Sequence, residues 1–126
     1  MTLPRAFLLT ALLYAIVGMG LGIHMGIAHD FSGAPIHAHI NLVGWVTLAI
    51  YGLVHRAYPA MSASRLARPQ FWIAQAGALV FPIGIALSIY RDWPVLAILG
   101  SLAVFLAMIL FTLMAFGNLK DDAPQR

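Results

Sequence analysis

His37-Ala-His39-Ile-Asn41-Leu-Val-Gly44-Trp45 opens an apolar run that continues through Tyr51 and Gly52 to Tyr58 and Pro59. The run is long enough to cross a bilayer, and it carries two histidines at one end. An imidazole is costly in hydrocarbon unless paired or ligated, so a histidine there is a functional candidate. On a helix, residues two apart stand roughly 200° apart around the axis. His37 and His39 therefore serve opposite faces of one helix rather than gripping a single metal atom together.

The rest of the chain fits a membrane setting. Its 126 residues are 62% hydrophobic and 9% charged, against about 25% charged in ordinary soluble domains. Three further apolar runs join the first. The expected spans are about 7–28, 37–58, 71–90 and 94–117, each long enough for a hydrocarbon core roughly 30 Å thick. The fold class expected is all-α, a single four-helix transmembrane unit over residues 1–126. A secretory leader is the competing reading of the first run, since Arg5 precedes it. Its glycine-rich continuation to Ala28 is too long for one and lacks a clear cleavage pattern.

Arg5, Arg56, Arg65, Arg68, Lys120 and Arg126 fall in the N-terminus, the second loop and the C-terminus, and only Arg91 falls elsewhere. With four spans those three segments share a side. The positive-inside rule makes that side cytoplasmic, with both termini there, in a bacterial inner membrane. The net charge of +3 is accounted for by this bias and calls for no nucleic acid. The basic second loop lies where it can touch anionic membrane lipids.

This topology sorts the histidines. His24, His29, His37 and His39 belong to the outer end, and His55 stands alone at the cytoplasmic end beside Arg56. His55 is expected at the interface with its tip in headgroup water, and His29 in a solvated loop. His24, His37 and His39 are the candidate ligands, for cofactor or metal alike. Imidazole is the commonest metal ligand and the usual axial ligand of b-type haem, and helical bundles build such sites between facing helices. There is no cysteine, which excludes disulfides, iron–sulfur clusters held by thiolates and covalent c-type haem.

Gly18, Gly22 and Gly26 form a small-residue stripe suited to close helix packing, and Gly20 leaves room on another face. Met19 and Met25 flank His24, as soft copper ligands or as ordinary apolar filler. Gln75 is expected to hydrogen-bond between helices, Pro82 to kink the third span, and Trp72, Tyr90 and Trp93 to mark span ends. No nucleotide loop, nucleophile–base set or intraspan carboxylate pair is present. The C-terminal residues from Lys120 to Arg126 read as a polar tail.

The paired histidines with Gly44 and Trp45 resemble the paired-histidine helix in the catalytic subunit of haem–copper oxidases, especially high-affinity bacterial oxidases and nitric oxide reductases. His39-x-Asn41-Leu with Trp45, Gly52, Tyr58 and Pro59 also resembles an early helix of the nitric oxide reductase catalytic subunit. In that family the first histidine of the pair binds the high-spin haem and the second the low-spin haem, which implies haem-ligand roles for His37 and His39. The family's subunit has about twelve spans in three four-helix arcs, and this chain matches one arc. It lacks the further histidines and cross-linked tyrosine of the copper centre and the proton-channel carboxylates. The resemblance thus implies a small b-type haem protein for electron transfer or for gas or redox sensing, not a complete oxidase. It further implies a homo-oligomer, either a trimer rebuilding three arcs or a dimer sealed through Gly18, Gly22 and Gly26. The alternatives are a copper or zinc protein using His24, His29, Asp30, His37 and His39, and an assembly subunit without a cofactor.

Overall fold

Five helices make up the computed structural model, which describes residues 1–118. They are α1 (Leu3–Ala28), α2 (Ala34–Ala57), the short α3 (Pro59–Ala63), α4 (Ala67–Arg91) and α5 (Val95–Asn118). No strand occurs among the described residues. All but α3 are long and apolar enough to cross a membrane. Each begins within four residues of an expected span: α1 and α4 start four residues earlier than expected, α2 three earlier and α5 one later. The tail from Lys120 to Arg126 lies outside the described residues.

Loop chemistry explains the sharp returns at one end. Helix α1 closes on His29 and α4 on Asp92, both left-handed, with φ 51° and 52°. The Asp30 carboxylate accepts the Ser32 N–H at 2.9 Å, an Asx-type turn that leads the chain into α2. Ser32 also meets the Tyr90 hydroxyl at 3.1 Å, tying the loop before α2 to the end of α4. At the other end Leu3, Met61, Ala67 and Met114 pack together, so the N-terminus, α3 and the end of α5 share a side. Arg5, Arg56, Arg65 and Arg68 lie on that side, as the charge pattern requires.

Two helix pairs build the bundle. In the first, residues of one helix fill the glycine notches of the other: Asn41 lies over Gly18, His37 over Gly22, Tyr14 over Gly44 and Phe7 over Gly52. In the second, Gly84 of α4 meets the Leu96–Ala97 backbone of α5, and Gly100 of α5 meets Phe81 of α4. Such backbone approach is how helices associate where the solvent is as apolar as the side chains. The pairs meet around Phe7, Ala11, Leu48, Tyr51, Ala74, Ala78 and Ala107. Across that junction the Gln75 amide donates to the Thr10 hydroxyl at 2.8 Å, the expected interhelical bond. Thr10 is free to accept because its own proton goes back to the main chain of Ala6 and Phe7. Helix α4 runs on through Pro82, and Trp72, Tyr90 and Trp93 are exposed near helix ends.

Helix α2 is not uniformly α. Residues Ile40–Thr47 form a π-helix, in which main-chain bonds span five residues rather than four. The Thr47 hydroxyl reinforces it, donating to the Leu42 carbonyl five residues earlier at 2.7 Å. π-Segments are rare and frequent at functional sites, and this one begins directly after His39.

Candidate functional site

The N-terminal end of α2 fixes both of its imidazoles through the main chain. His37 Nδ1 lies 2.8 Å from the Gly18 carbonyl oxygen of α1. His39 Nδ1 lies 2.7 Å from the Pro35 carbonyl one turn back on its own helix. A carbonyl oxygen only accepts, so each Nδ1 carries the proton, and the neutral ring keeps its lone pair on Nε2. Asn41 Nδ2 stands 3.4 Å from His37 Nδ1 but donates to the His37 carbonyl at 2.9 Å. The shorter bond decides its role. Asn41 braces the turn, and the His37 ring proton goes to Gly18. Imidazoles that ligate metals are generally oriented in this way, by a hydrogen bond from the other ring nitrogen.

The pair diverges as the spacing demands. His37 lies in the notch at Gly22, where a Cβ would come within 2.8 Å of its Cε1. His39 faces α4, its ring edge-on to Phe81 with centroids 4.7 Å apart. Both rings are half-buried. The two Nε2 lone pairs thus serve different sides of α2.

His24 is not brought to either of them. It is exposed, and it stands two residues from Gly22, the residue α1 turns toward α2, hence roughly 200° around the axis. Its face is that of Gly20, where an added Cβ would meet nothing within 4 Å. The Asp30 carboxyl is held below the usual range chiefly by the hydrogen bonds of Ser32, with a smaller contribution from nearby His24. His29 is exposed, as expected of the loop. Met25 is buried against Gly33, and Met19 is exposed. Among the described residues no three His, Cys, Asp or Glu side chains come together to hold one metal ion. The outer set His24, His29, Asp30, His37 and His39 is therefore not assembled as a shared copper or zinc cage. Gly18 and Gly22 are also taken by Asn41 and His37 of the same chain, so a dimer seam there would first have to displace α2.

At the opposite end His55 departs from expectation. It is 1% exposed rather than interfacial. Its ring stacks on Phe7 at 5.7 Å and 9°. Ring Nε2 reaches Gln70 Oε1 at 3.4 Å, and the Ser62 hydroxyl donates to the His55 carbonyl at 2.8 Å. The physical reason is its register. Leu48, Tyr51, Gly52 and His55 make one buried face of α2, and the glycine lets the start of α1 close over it. Gln70 is fully buried, and its Nε2 has no partner. Sequence reasoning passed over Gln70 because the third span was started at Phe71. The available signal is a glutamine immediately before that apolar run.

The chain matches no protein-family model, no curated protein and no solved structure. The oxidase-like resemblance therefore rests on the motifs in residues 37–59 and, loosely, on the four-span layout.

Proposed function

We propose that this chain is a b-type haem-binding membrane protein with an oxidase-like four-helix scaffold, acting in electron transfer or in gas or redox sensing. The observation that carries the reading is the pre-set tautomer of His39. Its Nδ1–H is committed to Pro35, and Nε2 is left as a neutral donor at the outer end of an apolar helix. Such a donor suits an axial position on haem iron, and one imidazole suffices where a cage of three is absent. Bound haem would supply one-electron exchange between ferric and ferrous iron. The protein's own part is to hold the donor ring against rotation, by the Pro35 bond and the edge contact with Phe81.

His37 offers a second donor on the other side of α2. One chain therefore cannot present both to a single iron, which supports a homo-oligomer, trimer or dimer, in which a second copy completes the coordination. The shared end of Arg5, Arg56, Arg65 and Arg68 supports cytoplasmic termini in a bacterial inner membrane.

Detergent-purified protein should show a Soret band and sharp visible bands on reduction, with haem found in an oligomer by native mass spectrometry. His39→Ala should abolish or strongly alter the spectrum while the chain still inserts. An unchanged haem content and spectrum in that variant would remove His39 from the site, and full haem on a monomer would remove the shared coordination.

A further inference from the structure

A second feature lies far from the paired histidines, at the opposite end of the bundle. It is a groove of about 970 Å³ at the arginine-bearing end, between the first turns of α1 and α4. There α1 and α4 meet only sparsely. Its wall and floor combine two chemistries. Trp72, Phe71 and Leu3 make an apolar side, and His55, Ser62 and the Thr10–Gln75 pair make a polar base. Arg56 and Arg68 complete the lining. Both are exposed. Among the described residues the only carboxylates, Asp30 and Asp92, lie at the other end of the bundle.

We infer that this groove is a binding site for one anionic phospholipid, its phosphate held between Arg56 and Arg68 and its acyl chains lying along Trp72. Guanidinium forks bind phosphate by paired charge-assisted hydrogen bonds. A zwitterionic or neutral headgroup leaves that charge uncompensated, so the two arginines select for net negative charge. The size is at the upper end of ordinary ligand pockets, enough for a headgroup and the first part of its chains. The exposed Trp72 ring, 69% accessible, lies in the second turn of α4, near a helix end, where aromatic side chains favour the membrane interface. The site is independent of the haem reading, since it involves neither His37 nor His39.

The test uses the full chain with Trp45→Phe and Trp93→Phe, leaving Trp72 as the sole indole, in phosphatidylcholine nanodiscs. Chain-brominated phosphatidylglycerol or, in parallel, chain-brominated phosphatidylcholine is titrated, and Trp72 quenching is read. The anionic lipid should quench at a mole fraction lower by on the order of tenfold, from two basic residues near the membrane surface. Arg56→Ala with Arg68→Ala should bring the two curves together. Arg5→Ala with Arg65→Ala removes equal charge from the same end without touching the groove, and should keep the preference. Equal quenching by both lipids in the parent chain would mean that the groove holds bulk lipid without recognising charge, and overturns the proposal. So would a preference lost equally in both double variants, because general surface charge would then account for it.

Discussion

Substituting Gly84 by alanine is the sharpest probe of how the second helix pair is held. A Cβ at this position would collide with the main-chain nitrogen of Ala97 and stand 2.6 Å from Ala97 Cα. That is about 1 Å inside the ~3.5 Å separation at which carbon atoms attract. The opposing atoms are backbone, so no side chain can swing away, and α4 and α5 must part. The same parting would loosen the seats of Gly77 against Val104 and Gly100 against Phe81. Overpacking of this kind costs roughly 1–3 kcal/mol, and rigid backbone on both sides places Gly84→Ala at the upper part of that range. The intrinsic gain of alanine over glycine in a helix, up to about 1 kcal/mol, offsets only part. Gly20→Ala is the matched control, because nothing lies within 4 Å of its added Cβ; it should be neutral or stabilising by up to ~1 kcal/mol. Unfolding in mixed micelles by titration with a denaturing detergent, followed by far-ultraviolet circular dichroism, measures both. If Gly84→Ala proves as stable as the parent chain, the close seam between α4 and α5 is wrong.

Two further expectations concern the ends of the bundle. Gln70→Met should be close to neutral, within ~1 kcal/mol, because it deletes a buried amide nitrogen that has no partner along with one long bond. His55→Ala should cost about 2–4 kcal/mol by opening a cavity beneath Phe7; the reverse order in the same unfolding titration would contradict the packing of His55. In the loop between α1 and α2, the lowered Asp30 pKa has a definite sign. Its contribution to loop order is fully present above the ordinary carboxyl pKa of about 3.9 and is lost as pH falls through the lower folded value. The Ser32 amide resonance should therefore titrate below pH ~4 in the parent chain and stay flat in Asp30→Asn; a flat parent curve would remove the bond.

The four-helix layout was legible because it rests on composition and length, which a bilayer makes nearly sufficient. The divergence of His37 and His39 was legible from spacing alone, and the Gln75 bond from the cost of leaving an amide unpaired in an apolar span. What escaped depends on which helix covers which face. The charge of Arg56 drew its neighbour His55 to the headgroup level, whereas the face shared with Leu48 and Tyr51, opened by Gly52, carries it inward. The glycines of α1 announced a close neighbour without saying whose; Asn41 and His37 of the same chain fill Gly18 and Gly22. The π-helix gave no sign because widening a turn changes the hydrogen-bond partner and leaves hydropathy untouched.

That wide turn has a consequence for how His37 and His39 are aimed. A π-segment holds one residue more than an α-helix would use over the same rise, so it acts as a single-residue insertion absorbed without breaking the span. One residue corresponds to about 100° of rotation. The azimuth of His37 and His39 relative to Tyr51 and His55 is thus set by a local count of residues between them, not by the core beneath. A relative of this chain lacking that one residue would keep its length, its apolarity and its buried lower half, and would point the same two imidazoles at different neighbours.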